Sequence, residues 1–384
     1  MMKIVMISFN IIGRGTYQRA YFLAAELAKK GHQVSLLAAN SDGSAIEEID
    51  SDSVKIVTFP RLLQNHYLSG WGLYETERRI AWMKDRSFDI VHAFEMRPTC
   101  VYPSLLAANN GSMFVSDWAD WLGKGGSVEQ RPNALLRNLL RPFETYFENH
   151  FRPNAHGISV ICKTLYEKSK QLGIDKERIL YLPNGFNNPY LTPFDLEYAR
   201  SILNFSPDDF IIGYIGAAFR TDMNLMEDTY KALLEIIPNL KLIHIGRTKY
   251  YSKETSGVIQ ITNLNNEQMS LYLSACNLFW LPLQNTGANA GRLPLKLSDY
   301  LTIGRPIVST LVGDIPEINS KYNFGLIADD NPEDIAKKVY TVYRDADMQK
   351  AMSENALLLS RSLQENWAAR ASTLEKFYEF LLSR

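Results

Sequence analysis

Gln284-Asn-Thr-Gly-Ala-Asn-Ala-Gly-Arg-Leu-Pro-Leu-Lys-Leu-Ser-Asp-Tyr-Leu-Thr-Ile-Gly-Arg-Pro-Ile-Val-Ser309 decides how this chain is read. A short apolar run of strand length, Leu278 to Leu281, precedes it, and it closes on another, Ile307 to Ser309. Gly287, Ala288, Ala290 and Gly291 make a loop of small residues. Pro294 suits the first turn of a helix, where its missing N–H would have no partner in any case. Gly304, Arg305 and Pro306 stop that helix and start the next strand. Amides left open at the helix start, together with the helix dipole, form a natural diphosphate site. Arg292 and Lys296 add positive charge there. Asp299, one turn beyond Leu295, can accept both hydroxyls of a ribose. A plain strand–helix–strand connection, its small residues serving only the turn, stays open beside that reading.

The same alternation runs outward in both directions. The second half predicts strands at Ile211–Ile215, Leu242–Ile245, Val258–Ile261, Leu278–Leu281, Ile307–Ser309 and Gly325–Ile327, with helices between them. The first half predicts strands at Lys3–Ser8, Gln33–Leu37, Val54–Thr58, Asp89–His92, Ser112–Ser116 and Gly157–Ile161. A helix opens at Thr16, with Ala20, Leu23, Ala24 and Leu27 on one face, and stops at Gly31. Pro183, Gly185, Pro189 and Pro193 cluster between the halves and mark a linker. The fold class is therefore α/β, two Rossmann-like doubly wound domains in tandem, spanning residues 1–188 and 189–363 and followed by a terminal helix over 364–384. Such sheets bind ligands beyond the carboxyl ends of their strands.

Composition removes several classes. The chain has 384 residues, 46% of them hydrophobic and 22% charged, with a formal net charge of -1. That balance suits a folded protein and gives no bulk attraction to nucleic acid. Cys100, Cys162 and Cys276 show no ligand spacing, which predicts free thiols in a reducing compartment. No run approaches about 18 apolar residues, and the opening Met1 to Phe9 reads as a strand rather than a leader, so a cytoplasmic protein is expected. No HExxH, histidine pair or GxSxG is present, so neither a metal site nor a serine nucleophile is expected.

Candidate residues in the first half sit at strand ends. Gly13, Arg14 and Gly15 form a loop between strand and helix. It lacks the third glycine of a dinucleotide fingerprint, and Ala38, Ala39 and Asn40 end the second strand without an acid, so no dinucleotide cofactor is expected. An acceptor site and a tight turn remain equal readings there. Asp117, Trp118, Asp120 and Trp121 follow a strand and suit sugar binding or general-base work; core tryptophans and capping aspartates are the alternative. His92, Glu95 and Arg97 follow another strand. Asn133 to Phe151 is amphipathic, with Leu136, Leu140, Phe143, Phe147 and Phe151 near helical spacing and Pro142 marking a kink or boundary. Burial of that stripe on the sheet is expected, and weak peripheral contact with an anionic membrane face is the alternative.

Several segments resemble glycosyltransferases of the GT-B fold, close to glycosyltransferase family 4. They are Met2-Lys-Ile-Val-Met-Ile-Ser-Phe-Asn10, Leu23-Ala-Ala-Glu-Leu-Ala-Lys-Lys-Gly-His-Gln-Val34, Phe88-Asp-Ile-Val-His92, Tyr181-Leu-Pro-Asn-Gly-Phe186 and, most specifically, Leu293 to Val308. The resemblance implies a nucleotide-sugar donor held by the second domain and an acceptor held by the first. It implies transfer in the cleft, with retention and without a metal, and a last helix that crosses back to the first domain. Asp299 stands in place of the second Glu of the family's E-x7-E motif, which grips the ribose. The first Glu falls on Gly291 or Asn289. Of the family's Arg and Lys facing the diphosphate, only Arg220 is present. Ser116-Asp117 replaces a typical histidine.

The implied donor site comprises Gly216, Arg220, Gly246, Ile261, Asn289, Ala290, Gly291, Arg292, Leu293, Lys296 and Asp299. Lys296 and Arg220 would neutralise the leaving group. Asp117 or His92 would assist the acceptor hydroxyl, with Gly13, Arg14, Gly15 and Asp120 lining its pocket. A UDP-sugar is favoured as substrate, with no separate cofactor, and a glycan, lipid-linked or small-molecule acceptor. A sugar-nucleotide 2-epimerase and a non-catalytic partner protein are the alternatives.

Overall fold

A computed structural model describes residues 1–40, 45–63, 66–246 and 255–384, apart from the side chain of His66. The chain divides into two compact units, Met1–Asn184 with Trp367–Arg384, and Gly185–Asn366. The first border falls ahead of residue 188 because Gly185 and Asn188 are held within the second unit. Ser298 donates to the Gly185 carbonyl at 2.6 Å, and the Asn188 amide donates to Thr302 at 2.8 Å.

The first unit holds eight strands: β1 (Lys3–Ile11), β2 (Gln33–Ala39), β3 (Glu47–Ser51), β4 (Val54–Phe59), β5 (Ile90–Phe94), β6 (Met113–Trp118), β7 (Gly157–Val160) and β8 (Ile179–Tyr181). Their order is β3-β4-β2-β1-β5-β6-β7-β8. All neighbours run parallel except β3, which pairs antiparallel with β4. Strand β1 continues to Ile11, opposite Ala39, past the loop start expected at Asn10. The inner strands are buried on both faces, as parallel strands covered by helices must be. The C-terminal helix Trp367–Leu382 belongs to this unit. Trp367 packs on Phe22 with centroids 5.0 Å apart, and Glu375 pairs with Lys30 at 2.7 Å and His32 at 2.8 Å. Ala134–Phe151 forms a single helix with Pro142 inside it, so the expected boundary there is absent.

The second unit holds six parallel strands: β9 (Phe210–Ile215), β10 (Leu240–Ile245), β11 (Val258–Ile261), β12 (Leu278–Leu281), β13 (Ile307–Thr310) and β14 (Gly325–Ala328). They are ordered β11-β10-β9-β12-β13-β14. Trp280, Leu278 and Ile212 on the strands meet Met226, Tyr230 and Val339 on covering helices to form the core. The helix expected between β10 and β11 falls on a segment largely outside the described residues. Among the described residues, no helix is long and apolar enough to cross a membrane.

Candidate functional site

The carboxyl ends of β9, β10 and β12 bring the second unit's candidates together. Gly216 follows β9 with φ 83°, a left-handed conformation that favours glycine. Gly246 follows β10, and a Cβ there would lie 2.8 Å from the Gly216 carbonyl. That carbonyl hydrogen-bonds His244 Nε2 at 2.9 Å. Burial pushes the His244 pKa down, so its ring is a neutral structural partner. Ile261, at the end of β11, accepts the Gly246 amide at 2.8 Å.

Lys296 opens the helix Lys296–Ile303. Its ammonium donates to the Tyr214 hydroxyl at 2.6 Å and lies 3.9 Å from that ring's centre. A Cβ on Gly216 would sit 3.9 Å from the same nitrogen. Burial first, and then the charge of Arg292, push the Lys296 pKa down to about 7. No carboxylate lies within ion-pair distance of it among the described residues.

The loop ahead of this helix differs from expectation. Gly287–Ala290 is itself one helical turn, capped by Thr286. The amides of Ala290 and Gly291 bond back to Thr286 and Gly287 at 2.8 Å, so they are not open to a ligand. Pro294 lies ahead of the longer helix rather than within its first turn, and its carbonyl accepts from Leu297 at 3.1 Å. Leu293 is buried, and Asn289 is fully enclosed. The Asn289 side-chain amide donates to Asp222 Oδ1 at 2.8 Å and to the Gln284 carbonyl at 2.8 Å, and its oxygen accepts from Arg292. Asn289 and Leu293 therefore brace the loop from within instead of facing a donor.

Asp222 is the residue that sequence reasoning missed. Its carboxylate is buried, accepts the Gln284 amide at 2.9 Å and pairs with Arg292 at 3.4 Å. Arg292 also lies over the Phe219 ring, 4.6 Å from its centre. No local motif announces Asp222, because its partners lie 62 and 67 positions downstream. Arg220, expected as a phosphate ligand, is exposed at the first position of the helix Arg220–Leu234. Asp299 is half-buried, and its Oδ1 accepts from Asn188 at 2.7 Å. Burial, opposed by Asn188 and Lys296, pushes its pKa up to about 6. Its Oδ2 has no hydrogen bond among the described residues.

In the first unit, Asp117 and His92 are brought together but enclosed, with no exposed surface. Arg19 donates to both Asp117 oxygens, at 3.0 and 2.9 Å, and Ser159 donates at 2.6 Å. Although burial alone would raise it, Arg19 holds the Asp117 pKa below its ordinary value. His92 bonds Tyr378 at 2.6 Å and Ser159 at 3.1 Å, and burial pushes its pKa down to about 4. The expected assistance to an acceptor hydroxyl is corrected: this is an internal network with every strong partner inside the unit. Glu95, buried at φ 73°, accepts the amides of Ala119 and Asp120 and pairs with Arg152 at 2.7 Å, which fixes the loop after β6. Asp120 is half-buried on that loop. Gly13, Arg14 and Gly15 are exposed ahead of the helix at Thr16. Asn10 accepts from the Thr16 amide at 3.1 Å, and a Cβ on Gly15 would lie 2.8 Å from the same oxygen.

Two tandem, mainly parallel sheets, with glycines and a lysine gathered at strand ends of the second, define a GT-B protein. The model for Glycosyltransferase Family 4 matches residues 14–188, and that for glycosyl transferases group 1 matches 197–358. The chain belongs to this glycosyltransferase family. An uncharacterized glycosyltransferase of Methanocaldococcus jannaschii is 23% identical over 64% of this chain, which spans 65% of that relative's length. Sucrose-phosphate synthase from Thermosynechococcus elongatus superposes with TM-score 0.78 at 16% identity over 100% of both chains. The catalytic domain of starch synthase IV from Arabidopsis thaliana, bound to ADP and acarbose, gives 0.73 at 13% over 100% of both. HepE from Anabaena in complex with UDP-glucose gives 0.68 at 13%, again over 100% of both.

Proposed function

We propose that this protein transfers a sugar from a nucleoside-diphosphate sugar to a hydroxyl of a glycan, lipid-linked or small-molecule acceptor. A UDP-sugar is the favoured donor. The observation that carries the reading is Lys296: a cation with no ion-pair partner among the described residues, at a helix start, facing the glycine that follows β9. Such an ammonium is poised for an anion, and a diphosphate would restore its full charge. Departure of the nucleoside diphosphate builds negative charge on the bridging oxygen, and Lys296 with Arg292 would stabilise it. Two side-chain cations would serve that need without a metal. Asp299, through Oδ2, would hold the ribose. Retention at the anomeric carbon follows the family resemblance. The complexes of HepE with UDP-glucose and of starch synthase IV with ADP support nucleoside diphosphates as the ligand class.

Calorimetry with UDP-, GDP-, ADP- and dTDP-glucose tests the reading. UDP-glucose should bind and Lys296→Ala should weaken it at least about tenfold, which is about 1.4 kcal/mol. No binding by any of the four would reject it. Formation of a product inverted at C2 with donor alone would redirect the assignment from transfer to epimerisation.

A further inference from the structure

Arginines of the first unit gather around one carboxylate. Glu144, on the helix Ala134–Phe151, is enclosed, and its Oε1 accepts from Arg97 at 2.8 Å and from Arg131 at 2.5 Å. Arg97 precedes the helix Pro98–Asn109 after β5, and Arg131 lies between β6 and the helix of Glu144. Arg61 follows β4 and donates to Ser69 Oγ at 3.3 Å, while Arg97 donates to the Ser69 carbonyl at 2.6 Å. All three arginines thus lie beyond the carboxyl ends of their strands, where doubly wound sheets bind ligands. Arg97 is held in place there. Its guanidinium lies 4.3 Å from the centre of the Phe9 ring, and a Cβ on Gly70, at φ 82°, would sit 2.9 Å from its Cδ.

The cluster carries more positive charge than it neutralises. Neither Arg97 nor Arg131 has an ion-pair partner besides Glu144 among the described residues. Glu129 is taken by Arg141 at 2.5 Å. Glu75 pairs with Arg79 at 2.6 Å, and burial pushes the Glu75 pKa up, which weakens what it offers Arg61. Arg131 Nη1, Arg97 Nε and Trp71 Nε1 are enclosed, make no hydrogen bond among the described residues and can only donate. Trp71 meets Phe143 and Phe147 edge-on, at 6.3 and 5.1 Å, on the helix that carries Glu144. Burial expected for the whole stripe of that helix holds for Leu140 and Phe147 but not for Phe143, which is 50% exposed. Arg61 and Trp71 are half-buried and carry the cluster to the surface. Enclosed donors about an excess of guanidinium call for a partner rich in acceptor oxygens. The paired N–H groups of arginine match a phosphate or a carboxylate.

We propose that the first unit binds a phosphate or carboxylate group at Arg131 and Arg97, with Arg61 beside them, and that the sugar acceptor bears this group. That the anion belongs to an acceptor rests on the transfer reading above; the anion site itself does not. Calorimetry on the full chain with glucose, glucose 6-phosphate, glucuronate and inorganic phosphate tests both parts. The two acidic sugars should bind at least about tenfold more tightly than glucose. Arg131→Gln should weaken them at least about fivefold, and Arg131→Lys should recover part of the loss. Lys296→Ala should leave them within about twofold, which separates this site from the donor site. UDP-glucose affinity should likewise stay within about twofold in Arg131→Gln. Should Arg131→Gln fail to fold, the preference of the wild type for acidic over neutral sugar still decides. Equal binding of acidic and neutral sugars, or affinities that follow Lys296 and not Arg131, would overturn the anion site. Binding of inorganic phosphate with no preference for the acidic sugars would overturn the acceptor assignment in favour of a free-anion site. An acidic-sugar preference in a chain that binds no nucleotide sugar would reject transfer and with it the acceptor assignment, while upholding the anion site.

Discussion

Lys296 and Tyr214 form one unit: the ammonium donates to the phenol oxygen at 2.6 Å while lying 3.9 Å from the centre of the same ring. The contact joins the end of β9 to the start of the helix after β12, so the cation is oriented before any ligand arrives. Removing Lys296 should therefore cost transition-state stabilisation rather than fold. Lys296→Ala is expected to lower kcat at least tenfold, about 1.4 kcal/mol, with little change in melting temperature. Steady-state rates with UDP-glucose check this, and unchanged turnover would remove Lys296 from the mechanism.

Proton linkage gives a second test. The unliganded Lys296 titrates near about 7, below its ordinary value, because burial and Arg292 disfavour its charge. A bound diphosphate favours the charged form and raises that pKa. Binding near pH 8 should then take up a proton, and affinity should fall as pH rises above 7. On the acid side, Asp299 must be ionised to accept ribose hydroxyls. Its pKa near about 6 predicts that affinity also falls as pH drops through 6. Titrations in buffers of different ionisation enthalpy read the proton count directly. A flat profile between pH 5 and 9 would contradict both assignments.

Asp299→Ala should raise the dissociation constant for UDP about tenfold or more, the cost of losing a hydrogen bond to a charged group. UDP and UMP should be weakened alike, since the ribose and not the distal phosphate is affected. An unaltered constant would free Asp299 from this role and leave it as the partner of Asn188.

Much of this site was legible because Arg292, Lys296 and Asp299 share one stretch of chain. The alternation of strands and helices was legible for the same local reason. Tyr214 lies 82 positions from Lys296 and Asn188 lies 111 from Asp299, so no spacing rule connects them. The same distance misled the reading of Asp117. Its place at a strand end suggested chemistry, but Arg19, 98 positions away, neutralises it. Strand β3 escaped notice because Glu47 to Ser51 is exposed and acidic. An edge strand of this kind takes its hydrogen bonds from β4 and needs no apolar pattern.

Asp222 braces the loop through Asn289, Gln284 and Arg292, and replacing it should show as instability of the second unit. Asp222→Ala strands a half-buried guanidinium and a buried amide, a cost of about 2–4 kcal/mol. Asp222→Asn keeps the shape and one acceptor oxygen, so its loss should be smaller. Thermal unfolding of both variants, with and without UDP, orders them. If Asp222→Ala melts with the wild type, the carboxylate is not holding the loop.

The network around Asp117 separates a structural role from a catalytic one. Asp117→Asn leaves the Arg19 charge buried without its counterion, which costs about 3–5 kcal/mol when one partner of an enclosed pair is removed. For a unit of this size that corresponds to a fall in melting temperature of at least about 6 °C. The UDP dissociation constant should stay within about twofold, because Asp117 belongs to the first unit and the proposed donor ligands to the second. A general base would behave in the opposite way, leaving melting unchanged and abolishing turnover. That second outcome would require an acceptor to reach a carboxylate that Arg19 and Ser159 now cover.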